Sequence, residues 1–263
     1  MKLISIIMTC HNGEKYLNDA ILSVFKQTYS NWELIFIDNN STDNSKNIIC
    51  SYNDKRIKYF KLENTLNLGS VRNYAYTKCL GDFISFLDVD DLWLNKKLEL
   101  QVKKFNSNES IDILYSNYFE LHNNQNIKIK KSLFKGYCQR NIILSYINGK
   151  PLTAWLTLMI KKDRLKNLEY IFDKNIHIAS DFDLIIRLSS NCYFDFVEEY
   201  ICSYRVHDSN ESKQPFKELR EILYIINKYK KDKKIAKIFS TDFFYFKILF
   251  KYLFSKINFL NKI

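Results

Sequence analysis

At 263 residues the chain is long enough for one large domain, and 46% hydrophobic with 26% charged residues excludes a disordered chain. A formal charge of +11 admits nucleic acid, an anionic membrane surface or phosphorylated small molecules as partners, and the placement of that charge decides among them. The 6 cysteines are scattered without a CxxC pair, which excludes a zinc ribbon and argues against disulfides; the opening MKLISIIMTCHN is too short an apolar run for a secretory signal. A reducing cytoplasm is therefore expected.

Taken in chain order, residues 3–9 form a continuous apolar run of buried-strand length. Residues 14–27 follow, with Tyr16, Leu17, Ala20, Ile21, Val24 and Phe25 on one helical face. A second apolar run at 33–37 ends in Asn39-Asn40-Ser41-Thr42-Asp43, whose turn chemistry also supplies an N-cap for the next helix. Strand signals recur at 57–62 and 82–87, with a helix at 71–79 between them and another starting near Leu94. Beyond about residue 120 the pattern loosens. Residues 123–132 are polar and lysine-rich and read as an exposed loop; 152–160 and 193–205 read as strands, 181–188 as a helix, and from Phe216 the chain turns helical, basic and aromatic. Strands alternating with helices predict an α/β fold with a largely parallel sheet covered by helices on both faces. In such sheets ligands bind beyond the carboxyl ends of the strands. Those ends carry Thr9-Cys10-His11-Asn12, Asp38-Asn39-Asn40 and Asp88-Val89-Asp90-Asp91.

The third of these carries chemistry. Asp88 and Asp90 lie two residues apart, so in extended chain they would share a side, and two such carboxylates repel unless a cation lies between them. Mg²⁺ or Mn²⁺ is the hard oxygen-seeking ion that bridges carboxylates to substrate phosphates. The alternative is a solvated loop capping the next helix, with Asp91 as a turn residue.

These residues resemble the inverting family-2 glycosyltransferases of the GT-A fold. The likeness runs from Ser5-Ile6-Ile7-Met8-Thr9-Cys10-His11-Asn12 through Tyr16-Leu17, Ser23-Val24 and Gln27-Thr28-Tyr29. It continues in Trp32 to Asp43, Asn67-x-Gly69, Arg72-Asn73, Gly81-Asp82 and the acidic strand end. The resemblance implies a GT-A (Rossmann-like) mixed, mostly parallel sheet over residues 1–214, divided into a donor half at 1–91 and an acceptor half at 92–214. It also implies donor-binding roles for Thr9, His11, Asn12, Asp38, Asn39, Arg72 and Asp88, with His11 in the place of an aromatic beside the base. Asn39 departs from the family's second acid, but an amide carbonyl still accepts from a pyrimidine N–H, which keeps a UDP-sugar as the expected donor. The implied metal ligands are Asp88, Asp90 and, from Tyr204-Arg205-Val206-His207, His207.

Ser180-Asp181-Phe182-Asp183-Leu184 resembles the family's acidic motif and implies Asp181 as the catalytic base, with helix capping as its other reading. Trp155 in Pro151-Leu152-Thr153-Ala154-Trp155 either stacks on an acceptor sugar or belongs to the core. Residues 215–263 form a helical C-terminal appendage. Within its last stretch, 243–263, Lys247, Lys251, Ser255, Asn258 and Lys262 define one polar helical stripe. That stripe suits either a helix lying on the cytoplasmic membrane face or one packed on the core or a second subunit. The expected activity is metal-dependent inverting transfer of a sugar to a glycan or lipid-linked hydroxyl. The rivals are a sugar-phosphate nucleotidyltransferase, against which the lone Gly13 and missing basic loop after strand one count, and an inactive membrane-attached binding protein. Nucleic acid is not expected, because the basic residues are spread rather than gathered on a stacking platform.

Overall fold

The computed structural model describes residues 1–123, 125–129, 134–137, 145, 154–210 and 214–229. Its first half is built from β1 (Ile4–Cys10), α1 (Glu14–Phe25), β2 (Trp32–Asp38), α2 (Ser45–Cys50), β3 (Ile57–Lys61), α3 (Leu68–Lys78) and β4 (Phe83–Phe86). The second half adds β5 (Leu92–Trp93), α4 (Lys97–Ser107), β6 (Ile113–His122), β7 (Gln125–Ile129), a 3₁₀ turn (Trp155–Thr157), β8 (Met159–Lys161), α5 (Asp163–Lys166), α6 (Ser180–Ser189), β9 (Phe194–Arg205) and α7 (Pro215–Tyr229).

One sheet runs β3-β2-β1-β4-β8-β6-β9-β5, with β7 added at β6. The β3-β2-β1-β4 portion is wholly parallel, β8 and β5 run antiparallel to their neighbours, and β6 and β9 pair in parallel. Alternation along the strands sorts the core onto two faces. Ile4, Ile6, Met8, Leu34 and Phe36 meet Leu17, Ile21 and Val24 of α1 and Leu98, Val102 and Phe105 of α4. Ile7, Ile35, Ile37, Ile84 and Phe86 meet Val71 and Ala75 of α3 and Leu184, Ile185 and Leu188 of α6. β1 sends its neighbours in opposite directions, β2 to one side and β4 to the other. The switch point therefore lies between the ends of β1 and β4.

Two glycines of the quoted motifs are fixed by close approach. A Cβ at Gly81 would stand 2.6 Å from the Ser5 backbone nitrogen, and one at Gly69 would stand 2.9 Å from the Asp173 carbonyl oxygen. Gly81 thus docks the entry to β4 on β1, where Asp82 also takes Leu3 N–H at 2.9 Å. Gly69 lets α3 sit against the chain that leads into α6.

Several expectations change. Residues 125–129 are not loop but a hairpin strand on β6, turned at Asn123 with φ 44°; they are exposed as expected, while 124 and 130–132 lie outside the described residues. The strand expected at 152–160 is a 3₁₀ turn followed by three strand residues, with 151–153 outside the described residues. β5 and β6 carried no sequence assignment. The helix expected from residue 216 is present as α7, and its Ile222, Ile225 and Ile226 are buried. Residues 243–263 lie outside the described residues, and no described helix is long and apolar enough to cross a membrane. Cys10, Cys50, Cys79, Cys192 and Cys202 are free thiols; Cys138 lies outside the described residues.

The 3₁₀ turn is held from beneath by polar side chains. Trp93 Nε1 donates to Leu156 O (3.0 Å), Gln101 Nε2 to Thr157 O (2.7 Å) and Ser85 Oγ to Leu158 O (2.6 Å). Lys97 completes the layer, fully buried, donating to Ser85 Oγ at 2.9 Å and Gln101 Oε1 at 2.8 Å and lying over the Trp93 ring. These partners are neutral, and burial lowers the Lys97 pKa to about 8. Between that value and about 10.4, where a free lysine titrates, the unfolded chain holds a proton that the folded chain lacks, so stability rises with pH. Across the full window the gain is about 3 kcal/mol. Urea unfolding at pH about 7.5 and about 10 should show the stability of the wild type rising relative to that of Lys97→Met, both proteins sharing the opposite contribution of Cys79, Cys192 and Cys202, whose pKa burial pushes up to about 12. An equal pH response in both proteins would remove Lys97 as its source.

Candidate active site

A cleft of 830 Å³ opens at the switch point. Thr9, His11, Asn12, Asn39, Arg72, Asp88, Asp90, Trp155, Asp181 and His207 all line it. This volume is in the range of small-molecule and cofactor sites.

The floor is a loop that the Asn39–Asp43 cluster locks in place. Asn12, at φ 56°, accepts Thr42 N–H on Oδ1 (2.8 Å) and donates its own N–H to Ser41 Oγ (3.0 Å). Gly13 N–H goes to Ser45 Oγ, Glu14 N–H donates to Asp43 Oδ2, and the Glu14 carboxylate accepts Asn44 N–H. Partial burial works to raise the Asp43 pKa, but the Ser45 hydroxyl and the Glu14 and Ser45 N–H groups hold the carboxyl below the usual carboxylate range. His11 Nδ1 lies 2.9 Å from Asn39 O.

Asp38, expected to bind the donor, is not among the residues that line the cleft. It is fully buried; Oδ1 accepts Ser41 N–H at 2.7 Å and Oδ2 accepts the Tyr59 hydroxyl at 2.9 Å. It ties the loop at Ser41 to Tyr59 of β3. Asn39 does line the cleft, with its amide paired both ways to the Leu66 backbone at 2.9 Å. The Oδ1 atom keeps a second lone pair for an N–H donor.

The acidic strand end is a turn, not extended chain: Asp91 N–H donates to Asp88 O at 3.1 Å. The two carboxylates therefore part company instead of sharing a side. Asp88 Oδ1 takes the Arg72 guanidinium at 3.3 Å, and Asp90 Oδ2 faces His207 Nε2 at 2.9 Å. Asp91 is more than a turn residue. Its carboxylate accepts Arg205 N–H at 2.9 Å, and burial, with Asp90 and Asp88 beside it, pushes its pKa well above the ordinary value. Arg205 adds a bond from Nε to Asp90 O and reaches Asp19, lying over the Tyr16 ring. The end of β9 is thus tied to the turn, and His207 follows two residues later.

His207 is held on every side. Nδ1 lies 2.8 Å from Ser209 Oγ, its backbone N–H donates to Asn210 Oδ1, and its ring packs on Tyr16 with centroids 5.1 Å apart. Facing the Asp90 carboxylate at 2.9 Å, Nε2 carries the proton and donates it there, with Ser209 Oγ donating to Nδ1; the other tautomer, with the proton on Nδ1, would free the Nε2 lone pair for a cation. Among the described residues no three His, Cys, Asp or Glu side chains converge closely enough to hold a metal ion alone. One carboxylate and one imidazole beside an open cleft fit an ion that draws its remaining ligands from substrate phosphates and water. That is the habit of Mg²⁺ and Mn²⁺.

Arg72 bridges the two halves. It is buried, donates to Ser180 Oγ at 3.0 Å as well as to Asp88, and stacks 4.5 Å from the Trp155 ring. Trp155 in turn stacks on Phe86 at 3.9 Å, so one face of its ring belongs to the core and only its remaining edge can meet a ligand. Asp181 opens α6, where its Oδ1 accepts Phe182 N–H at 2.8 Å. Asp183, two positions on, turns away and is fully buried against Arg187 and Lys228. Sequence reading missed Asn210 and the roles of Asp91 and Arg205; the third acid after Asp90 was the only local signal.

The half-parallel sheet with its acidic turn at the β1/β4 switch point defines an α/β fold of the GT-A type. The profile of Glycosyl transferase family 2 matches residues 5–165. The chain is 33% identical over 219 residues to the UDP-Glc:alpha-D-GlcNAc-diphosphoundecaprenol beta-1,3-glucosyltransferase WfgD of Escherichia coli, covering 83% of each protein. It is 30% identical over 264 residues to the O-antigen biosynthesis glycosyltransferase WbnJ of the same organism, covering 95% of this chain and 98% of that one. The structure of S. aureus TarS 1-349 in complex with UDP superposes with a TM-score of 0.71 over 92% of this chain and 73% of that chain at 21% identity, a likeness of fold. The chain belongs to glycosyl transferase family 2 and is a glycosyltransferase.

Proposed function

We propose that the protein transfers a sugar, with inversion, from a UDP-sugar to a hydroxyl of a lipid-linked glycan in the assembly of a surface polysaccharide. The observation that carries this is the Arg72 guanidinium, which spans from Asp88 in the acidic turn to Ser180, the neighbour of Asp181. One cleft thus presents a cationic, metal-competent end for a diphosphate and a carboxylate for an acceptor. Asn39 and His11 would meet the base, with Thr9 and Asn12 forming the loop beneath it. Asp90 and His207, with Asp88 beside them, would hold a divalent ion, Mn²⁺ or Mg²⁺. When bound, that ion supplies charge neutralisation to the departing diphosphate.

The chain's own groups do the rest. Asp181 takes the proton of the acceptor hydroxyl as its oxygen forms the new bond to the anomeric carbon. The bond from that carbon to the UDP oxygen breaks on the opposite side, giving inversion in one displacement. Arg72 stays charged and fixes Asp88 at the diphosphate end. A glucosyl donor and a GlcNAc-diphospholipid acceptor are the first to try, because a relative of 33% identity is named for them. Residues 243–263 would hold the protein at the membrane face where such a lipid lies.

The test is UDP or GDP release from UDP-glucose, UDP-galactose, UDP-GlcNAc, UDP-GalNAc and GDP-mannose with Mn²⁺. The acceptor is offered once as a short-chain soluble lipid and once in phosphatidylglycerol vesicles. A UDP-sugar should turn over with a β-linked product from an α-linked donor, and faster on vesicles. Retention of configuration, or no turnover of any donor, would sink the reading in favour of another mechanism or an inactive binding protein. Equal rates in both acceptor forms would remove the membrane contact alone.

A further inference from the structure

α6 carries Asp181, whose Oδ1 accepts Phe182 N–H, yet its own side chains do not answer the N–H groups that lead into it. The N-cap is Ala179, which has no side-chain acceptor, and the third helical position is Phe182, so no capping box can form within the helix. The missing acceptor comes from 42 residues away. Glu221 on α7 is buried, and its Oε2 accepts both Ile178 N–H at 2.7 Å and Ala179 N–H at 2.9 Å. A carboxylate there also faces the positive end of the α6 dipole.

The grip is repeated one turn into α6 and again in the segment before it. Lys228 Nζ donates to Asp183 Oδ1 at 2.8 Å and to Asp173 Oδ2 at 2.7 Å, and the Tyr229 hydroxyl also donates to Asp183. Burial opposes the charge on Lys228, but Asp173 and Asp183 hold its pKa well above the ordinary value. Glu221, Ile222, Ile225, Lys228 and Tyr229 recur at helical spacing, so α7 presents one face, part polar and part apolar, to the chain around Asp181. On the other side Asn73 of α3 pairs with the Phe172 backbone in both directions. The segment entering α6 is therefore clasped between α3 and α7.

We propose that α7 is a positioning element of the transfer reaction. Glu221, by capping α6 from outside, sets where the Asp181 carboxylate stands against the acceptor hydroxyl. This rests on Asp181 being the base. Glu221 touches no reacting atom and acts only through the start of α6.

The substitutions that separate reach from charge are Glu221→Gln, whose amide oxygen can still accept both N–H bonds without the charge, and Glu221→Asp, which keeps the charge but is one methylene short. Glu221→Ala removes both. With the donor and acceptor taken from the panel above, kcat should fall about 10–100-fold in the Asp and Ala variants, since a shift of about 1 Å costs that much. The Gln variant should stay within about threefold of wild type, because the hydrogen-bond acceptor is kept. UDP affinity by calorimetry and acceptor KM should not move with kcat. Wild-type kcat in Glu221→Asp overturns the proposal. So does a fall in UDP affinity that matches the fall in kcat, or a Gln variant as impaired as Ala. Asp181→Asn is assayed alongside: if it keeps turnover, the base assignment fails and the proposal with it; if it loses turnover while Glu221→Asp does not, the positioning role alone fails.

Discussion

Asp181→Asn is expected to cut turnover by about 10²–10⁴-fold, the usual contribution of a positioned general base. UDP affinity should be nearly unchanged, because the substitution is isosteric and leaves the Asp90–His207 pair intact. The fold should also survive. Asp181 Oδ1 accepts Phe182 N–H at 2.8 Å, and an asparagine Oδ1 can accept the same bond. What asparagine cannot do is take a proton. The alternative reading, that Asp181 only caps α6, predicts a different outcome: loss of stability of about 0.5–2 kcal/mol on removal of the acceptor, and little change on amide substitution. Glu221 takes the Ile178 and Ala179 N–H groups at the α6 entry, and the Asp181 side chain serves Phe182 N–H. Turnover at the wild-type rate, or a loss of UDP affinity in step with turnover, would refute the base.

The parts legible in the sequence are those whose signal is local. β1, β2 and β4 are continuous apolar runs buried on both faces, and each ends in polar residues where the sheet stops. From that alone the cleft falls at the right edge. β5 could not be read because it is two residues long and exists only through its pairing with β9. β6 mixes Ser116, Asn117 and Glu120 with apolar residues. Ser116 and Asn117 are buried because their side chains bond backbone oxygens, Asn117 that of Glu198, 81 residues away. Asp38 shows the same limit at the site. An acid at a strand end looks like a ligand, and only the Tyr59 hydroxyl, arriving from β3, shows that its second oxygen is used internally. Asp181 draws its proposed role from a local motif, but the contacts around it could not be read, because Glu221 lies in a segment that reads as an appendage. Residues that touch a ligand cluster into motifs; residues that hold those motifs in place come from wherever the chain passes.

The second large effect belongs to Asp90. Asp90→Ala should lower turnover by about 10²–10³-fold, the cost of removing one electrostatic partner from a developing charge. The more specific readout is binding. UDP affinity in EDTA should match wild type, whereas the gain in affinity that Mn²⁺ gives the wild type should be lost. His207→Ala should weaken the Mn²⁺ effect less, by about 10–100-fold in metal affinity, if the imidazole tunes the ion more than it holds it. The geometry sets this order. Asp88 is committed to Arg72 at 3.3 Å, so its carboxylate charge is partly answered within the protein. Asp90 has His207 at 2.9 Å and Asn210 at 3.5 Å, partners that can give way to a cation without leaving a buried charge unpaired. Asp88→Ala therefore frees Arg72 and should disturb the Ser180 contact as well, mixing a donor effect with an acceptor effect. Asp90→Ala has no such second route. If it kept chelator-sensitive transfer at the wild-type rate, the ion would have to be held elsewhere, and the pairing of Asp90 with His207 would be a structural tie between the acidic turn and the end of β9.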